Sequence, residues 1–439
     1  HGAATCHGAP DRQSRRMIAA NAFLLLLILS VPIAFALITL ALIYIAIQSD
    51  WVLFASVPQQ MFGGLENYGL LALPLFILLG EFMNAGGIGR RLIALALSLL
   101  GQMRGGLAYV NLLANTMMAS ILGSTVAQIT VMSKLAIPDM VRAGYPKDVS
   151  IAVTAAGSLL APIIPPSMMF IIYGVIAQIP IGDLFIAGLV PGTMMFVAFL
   201  VVIAWLGQRY SFPKTDVQSL NSRTKALINA LPALAIPGVI IGSILGGIAT
   251  PTEAAAIASL TAIGVGRFVY RELEWADILP AFVNAARSSA VVLMLIAGAQ
   301  LFAWVITFEN VPAAISTGLQ SFTSSPILFL ILLNLMLLAL GTILDPIPAI
   351  ILVVPVFLPV ATSVYGIDPF HFGVVVCLNL TLGLLTPPVG TGLFAASLMS
   401  GVPAERIALL ITPFFVAVAL VIVLLAIFPV VATGLIGAL

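Results

Sequence analysis

Residues 123–173 decide the fold, and they read GSTVAQITVMSKLAIPDMVRAGYPKDVSIAVTAAGSLLAPIIPPSMMFIIY. The stretch is apolar enough for a membrane interior, yet Pro138, Pro162, Pro165 and Pro166 interrupt it. Proline removes a backbone donor and clashes with the preceding helical turn, so helices here must stop and restart. Broken backbone at membrane depth is tolerated only where protein buries it or where it lines a wet cavity. We therefore predict a binding site at this break.

A second copy of this plan occupies residues 341–394, which read GTILDPIPAIILVVPVFLPVATSVYGIDPFHFGVVVCLNLTLGLLTPPVGTGLF. Both copies run from a glycine turn through an apolar segment to a second glycine, and then through a helix to a Pro-Pro pair. The spacing from Gly144 to Pro165 equals that from Gly366 to Pro387. Paired breaks in the two halves of an apolar chain are typical of transporters built from inverted repeats.

Composition places the chain in a membrane. Of its 439 residues, 61% are hydrophobic and only 8% are charged, against about 25% charged in soluble domains. The mean hydropathy is +1.19, and the length allows about a dozen spans at about 20 residues each. A net charge of +1 gives no reason to expect nucleic acid. We predict an all-α polytopic membrane protein in which each inverted repeat holds a re-entrant helical hairpin and a broken transmembrane helix.

The expected organisation follows the polar loops and the breaks. Residues 1–16 are interpreted as a leader or cloning remnant and are set aside. The first inverted repeat covers 17–206, a cytoplasmic loop covers 207–225, and the second repeat covers 226–439. The parts within the repeats are hairpins at about 107–141 and 326–364, broken helices at about 149–177 and 370–400, and an amphipathic connector at 271–289. We expect the hairpins and broken helices to move together against a frame made of the remaining spans and the connector.

Charge placement predicts the orientation of most segments. The central loop, with Arg209 and Lys225, and the turn after the first hairpin, with Arg142, carry the basic residues typical of cytoplasmic loops. The first hairpin then enters from the cytoplasm and the second from outside, while the loops at 178–183 and 309–325 face the periplasm. Arg90 and Arg91 fall outside by the same logic, against the charge rule. The orientation of the first three segments therefore stays open.

Oxygen atoms at the tips and breaks predict cation binding. Na⁺ is a hard ion that takes carbonyl, hydroxyl and carboxylate oxygens, which unwound helix ends supply. One site is predicted where the first tip meets the first break, and another where the second tip meets the second break. The predicted ion- and substrate-binding residues are Gly123, Ser124, Thr125, Pro165, Pro166, Ser167, Gly341, Thr342, Asp345, Thr386, Pro388 and Gly390. The predicted Na⁺ ligands among them are Ser124, Thr125, Thr342, Asp345 and Thr386.

Each of these assignments has a structural alternative. Asp345 is the most costly charge of the predicted core, and ionisable residues inside membranes are functional candidates by default. The structural alternative is that Asp345 caps a helix after the Gly341 turn, and the binding role is favoured over it. Ser124 and Thr125 are small polar residues of the kind that also pack helices together. Their position at a repeated break favours the binding role.

The remaining acidic residues are interpreted structurally. Glu253 follows Thr250 and Pro251 at a helix start, so a cap is favoured over a binding role. Glu66 and Glu81 lie near span ends and are interpreted as solvated or paired. No lysine or arginine is obviously placed beside both tips, so an anion would be held by bound Na⁺, helix N-termini and small polar groups.

Eight motifs, in order, resemble those of the large (M) membrane subunit of tripartite ATP-independent periplasmic (TRAP) transporters. They are GSTVAQ, IPDMVRAGY, IIPPSMMFIIYG, LFIAGLVPG, GGIATPTEAAAI, GTILDP, GIDPFHFG and TPPVGTGLF. The resemblance extends from Met17 to the C-terminus and implies a sodium-driven importer of organic anions, usually carboxylates, in the bacterial inner membrane. It further implies an elevator-type mechanism, a small four-helix membrane subunit and a soluble periplasmic substrate-binding protein. No cofactor is expected beyond Na⁺ as the coupling ion.

Three other function classes stay open beside this one. A self-sufficient sodium/carboxylate symporter of the same fold would need no partners. A passive channel or scaffold is also compatible with paired breaks. A membrane enzyme is disfavoured, because neither a Ser-His pair nor a pair of carboxylates is evident at membrane depth.

Overall fold

The structure is a computed structural model that describes residues 21–22, 25–26, 29, 31–48, 51–101, 103, 105–213 and 220–436. The predicted leader at 1–16 lies outside these residues. Every regular element in the described ranges is helical, which confirms the all-α class. The α-helices are α1 Ile33–Gln48, α2 Trp51–Gly63, α3 Ala72–Ala85, α4 Ile88–Leu100, α5 Gly106–Leu122, α6 Thr125–Arg142, α7 Lys147–Gly157, α8 Met168–Ala177, α9 Ile181–Arg209, α10 Leu220–Leu245, α11 Pro251–Gly264, α12 Trp275–Phe308, α13 Val311–Phe322, α14 Pro326–Ile343, α15 Pro346–Ser363, α16 Pro369–Gly383, α17 Thr391–Ser400, α18 Ala404–Ile427 and α19 Val430–Thr433.

Eight helical segments of the described chain are long and apolar enough to cross a membrane, judged by length and composition. They are Tyr68–Ala85, Ile181–Arg209, Thr224–Leu245, Pro251–Val269, Trp275–Phe308, Pro326–Ile343, Pro346–Ser363 and Ala404–Ile427. Helices α5 and α6 meet at the predicted first tip, and α14 and α15 meet at the predicted second tip. The chain is therefore a multi-pass membrane protein.

The helices form two packed groups, which contact each other where α4 meets α5 and where α12 meets α15. In the first group, α3 packs against α11 and α12, α12 packs against α1 and α2, and α4 packs against α10. In the second group, α6 packs against α7 and α17, α14 packs against α16, and α15 packs against α8. The expected frame included the spans predicted at 184–206 and 407–431, which lie in α9 and α18. Helices α9 and α18 pack against each other and against α16, and α18 also packs against α7, so both belong to the second group.

The predicted connector at 271–289 is not separate from the span that follows it. Residues 275–289 and the following span lie in α12, one helix of 34 residues from Trp275 to Phe308. Ala281, Ala285 and Ser289 are buried at helical spacing, so the buried stripe runs on into the apolar half without interruption. The amphipathic composition of 271–289 thus marks one end of a long helix.

Two arginines hold the residues that precede α12. Glu272 binds Arg90 at 2.5 Å and Arg91 at 2.8 Å, and the Arg91 guanidinium lies 3.8 Å from the centre of the Tyr270 ring. The hydrogen bond from Arg91, together with both positive charges, holds the pKa of Glu272 below its ordinary value. These contacts fix the start of α12 against α4, within the first helix group.

The structure confirms that Glu253 is a helix cap. The N–H of Glu253 donates to the Thr250 hydroxyl at 3.3 Å, and the Glu253 carboxylate accepts from the N–H of Thr250 at 2.8 Å. This reciprocal pair is a capping box at the start of α11, and Pro251 occupies the first helical position. Two helices were not predicted: α2, which contains Pro58, and α13, which occupies most of the stretch expected as a loop at 309–325.

Candidate functional site

The first tip is a tight glycine turn packed against the first break. Gly123 has φ +57°, a left-handed conformation that glycine adopts without steric cost. A Cβ atom at Gly123 would lie 3.0 Å from the Met168 side chain, so the tip touches the start of α8. Ser124 has extended backbone at the N-cap position of α6. The structure thus brings together the predicted residues of the first tip and the first break.

The first break is enclosed by protein. After α7 the chain passes through one 3₁₀ turn and then irregular backbone as far as Ser167, the N-cap of α8. The Ser167 hydroxyl donates to the Pro162 carbonyl and accepts from the N–H of Phe170 at 3.3 Å. Pro165, Pro166 and Ser167 are buried. Irregular backbone at membrane depth is satisfied here by its own side chains and neighbours, as the lipid environment requires.

A cavity of about 300 Å³ lies between the tips and the first helix group. Three helices begin at it: α6 through Ser124, α8 through Met168 and α15 through Ile347. Helix N-termini carry unpaired N–H groups and about half a positive charge each. Three helix starts beside one cavity favour an anion there. The full set of lining residues is Phe76, Ile77, Gly80, Glu81, Asn84, Gly123, Ser124, Ala127, Pro166, Met168, Ser288, Val292 and Ile347.

The opposite wall of this cavity comes from α3 and α12. Helix α3 contributes Glu81 and Asn84, and α12 contributes Ser288. Glu81 was interpreted from the sequence as solvated or paired, but it lines the cavity, and within the described chain it has no ion-pair or hydrogen-bond partner. No lysine or arginine is among the described lining residues.

The second tip and second break are joined by a backbone hydrogen bond. The N–H of Gly390 donates to the Thr342 carbonyl at 2.9 Å. The Thr342 hydroxyl donates to the Ala339 carbonyl of its own helix at 2.8 Å, and the Thr386 hydroxyl in the second break donates to the Leu382 carbonyl of α16 at 2.9 Å, so their lone pairs stay available. Three of the predicted residues of the second site therefore lie together.

Asp345 differs from its predicted environment. It was expected as a charge in the core, but it is exposed at the second tip, where it occupies the N-cap position of α15. Pro387 and Pro388 are exposed as well, whereas Pro165 and Pro166 are buried. The two repeated breaks therefore share a sequence plan but differ in environment.

A glycine contact fixes the second hairpin to its broken helix. A Cβ at Gly383 would lie 2.6 Å from the Cα of Gly341, a distance at which the backbone must move. We expect Gly383→Ala to lower stability by about 1–3 kcal/mol, the usual cost of overpacking, because α14 and α16 must separate.

Thermal unfolding of the purified protein in detergent measures this effect. Gly264→Ala is the matched control, because Gly264 is also helical and a Cβ there would meet nothing within 4 Å. Equal melting temperatures for the two variants would contradict the predicted contact.

A buried polar network near the first tip was not predicted. Gln128 donates to Asn115 Oδ1 at 2.8 Å, Asn115 donates to Asn111 Oδ1 at 2.7 Å, and Asn111 donates to Thr154 Oγ1 at 2.7 Å. Ser158 joins the network through Asn115 Oδ1 at 3.0 Å. Asn111 and Asn115 are one helical turn apart in an apolar helix, and this spacing is the signal that would have found them. The buried hydroxyl oxygen of Thr125 has no hydrogen-bond partner within the described chain.

Comparison with known proteins agrees with this architecture. The family model of the DctM component of tripartite ATP-independent periplasmic transporters matches residues 21–431. The chain belongs to this DctM family. It is 36% identical over 405 residues to the sialic acid TRAP transporter large permease protein SiaM of Vibrio cholerae. The aligned residues cover 92% of this chain and 94% of SiaM.

Two further comparisons extend this result. The chain is 38% identical over 344 residues to the 2,3-diketo-L-gulonate TRAP transporter large permease protein YiaN of Escherichia coli, covering 78% of this chain and 80% of YiaN. The solved structure of the Alcanivorax borkumensis YdaH transporter superposes with a TM-score of 0.64 at 14% identity, covering 86% of this chain and 88% of YdaH. At that identity the likeness concerns the fold alone. As a DctM-family permease, the protein is a transporter component of the bacterial inner membrane.

Proposed function

We propose that the protein carries out sodium-coupled import of an organic anion, a carboxylate such as a C4-dicarboxylate, a sugar acid or sialic acid. The convergence of three helix N-termini on the cavity supports anion binding most directly. The relatives SiaM and YiaN are named for sialic acid and 2,3-diketo-L-gulonate, both organic acids. In this proposal a periplasmic substrate-binding protein delivers the substrate, and a small four-helix membrane subunit completes the transporter.

The lining of the same cavity also supports a requirement for cations in anion binding. Its described lining has no basic side chain and includes the carboxylate of Glu81, so a bound anion lacks a full positive charge. Helix dipoles contribute only about 0.3–1 kcal/mol each at ordinary sites. Bound Na⁺ would supply the missing charge, and the anion would then enter only after the cations. This order couples the two solutes.

The oxygen atoms at the tips fit this role. Thr125 offers a buried hydroxyl without a partner, and Ser124 lies beside it at the first tip. At the second tip, Gly390 donates to the Thr342 carbonyl and lies against the Thr386 carbonyl, and Asp345 supplies a carboxylate. We propose these five side chains as Na⁺ ligands, with neighbouring carbonyls completing each site.

Substitution at the second tip tests the sodium sites. Asp345→Asn and Thr342→Ala should each raise the Na⁺ concentration that gives half-maximal thermal stabilisation by about tenfold, because one charge-assisted contact is worth about 1.5–3 kcal/mol. The measurement is the melting temperature of the purified protein against NaCl, with KCl at equal ionic strength as the reference. Asp139→Asn and Thr193→Ala are matched controls on exposed surfaces away from the tips. An unchanged dependence of the melting temperature on Na⁺ in both tip variants would contradict this assignment of the sodium ligands.

A further inference from the structure

Glu81 is the one acidic side chain among the described residues that line the cavity, and it faces a site that otherwise suits an anion. It lies on the same face of α3 as Ile77 and Asn84, so the helix presents it to the cavity. No arginine or lysine of the described chain neutralises it. A carboxylate in this position repels a second carboxylate and attracts hydrogen-bond donors.

We propose that Glu81 makes the protein select organic acids that carry hydrogen-bond donors, hydroxyl or ammonium groups, on the carbon next to a carboxylate. This inference rests on the proposed function, because it assigns the substrate class of the same cavity. The substrate carboxylate lies toward the N-termini of α6, α8 and α15, and the donor group points to Glu81 on the opposite wall. Asn84 and Ser288 lie on that wall beside it and accept or donate further bonds.

The volume of the cavity accommodates a small organic acid. About 300 Å³ corresponds to about ten water molecules at about 30 Å³ each. An acid of four to six carbons fits within this volume. Longer apolar acids would bring methylene groups against Glu81, where burial without a donor leaves the carboxylate unpaired.

The energetics favour strong discrimination. Hydrogen bonds to an ionised acceptor are roughly twice as strong as neutral ones. A site built to bond a donor also rejects the analogue that lacks it, because its own buried group then stays unpaired. For an acid without donors, repulsion between its carboxylate and that of Glu81 weakens binding further. The two effects predict opposite responses to removal of the Glu81 charge.

Matched acids test the proposal on the purified full-length chain in detergent with saturating NaCl. The four-carbon series is succinate, L-malate and L-aspartate, which differ by hydrogen, hydroxyl and ammonium at one carbon. The six-carbon pair is adipate and D-glucarate. Affinity is read from the ligand concentration dependence of the melting temperature. In the unmodified protein we expect the donor-bearing acids to bind at least about tenfold more tightly than succinate or adipate.

Glu81→Gln should reverse this pattern in part. It should weaken the donor-bearing acids and strengthen succinate and adipate, so that the preference falls below about threefold. Glu405→Gln is the matched control, because Glu405 is an exposed carboxylate that does not line this cavity, and it should leave all affinities unchanged. Malate and aspartate together show whether hydroxyl or ammonium is the preferred donor.

The outcomes separate this inference from the proposed function. If none of the five acids stabilises the protein in a sodium-dependent way, the small-acid site itself is wrong and the inference is overturned with it. If the acids bind with sodium but Glu81→Gln leaves the preference unchanged, the selection by Glu81 is overturned and the transport proposal stands. A shift of the NaCl dependence in Glu81→Gln, without a change in preference, would reassign Glu81 as a cation ligand and also overturn the inference.

Discussion

A cross-link between Ala127→Cys and Asn84→Cys is expected to stop sodium-dependent uptake almost completely, and reduction is expected to restore it. Both positions line the same cavity, but Ala127 lies in the first turn of α6 and Asn84 in α3, so they belong to different helix groups. If the tips carry substrate by moving past α3, a short bridge between these positions holds the transporter in one orientation.

The measurement is uptake into proteoliposomes that contain the chain and its partners, before and after a short reducible bifunctional thiol reagent. Native Cys6 and Cys377 are first replaced by serine and alanine. The control pair is Thr193→Cys with Val416→Cys, which lines a groove between α9 and α18 within the second helix group. That bridge should leave uptake intact. Undiminished uptake with the first bridge fully formed would count against an elevator.

Reconstitution of the chain alone should give uptake at least about tenfold below that of the complete transporter at low substrate concentration. Charged clefts raise the local concentration and association rate of ionic substrates by about 10–10³, and the described lining of this cavity has no basic side chain to do so. In the proposed function, a partner at the periplasmic face captures the dilute anion. Equal high-affinity uptake by the lone chain would instead support a self-sufficient symporter of the same fold.

The predicted docking surface can be tested within the same assay. A cavity of about 1000 Å³ is lined by Gln178 and Gly182 of the loop expected to face the periplasm, together with Glu66 and Glu253. Glu66→Lys should reduce delivery by the binding protein and leave sodium-dependent stabilisation of the chain unchanged, because charge pairs at a rim act mainly on association. Asp139→Lys, on the surface predicted to be cytoplasmic, should affect neither.

Much of the fold was predictable because the residues that interrupt helices act locally. Proline and glycine act within one or two helical turns, so both tips and both breaks were predicted from Gly123, Pro165, Gly341 and Pro387. Helix α2 was missed because Pro58 and two glutamines resemble a loop. The grouping of α9 and α18 was also missed, since an apolar span carries no sign of which neighbour it packs against.

The candidate site was predictable only on one side. The first tip and break are close in sequence, and their apposition follows from the hairpin. Glu81, Asn84 and Ser288 come from α3 and α12, which pack against each other in the first helix group. Which face of α3 meets the tips depends on tertiary packing, so Glu81 was interpreted as a solvated or paired residue at a span end. Its role as part of the wall became visible only in three dimensions.

The unbroken helix α12 has a consequence for where in the bilayer the substrate rests. Its 34 residues make a rod about 51 Å long at about 1.5 Å per residue, well beyond the roughly 30 Å of hydrocarbon. Trp275 is exposed at its start, as expected for an aromatic anchor at the lipid headgroups. Ser288 lies about 20 Å further along the axis, so the rod sets the depth of the cavity wall below the membrane surface. Vesicles with longer or shorter acyl chains would change the tilt of this helix and with it the depth at which the substrate meets Glu81.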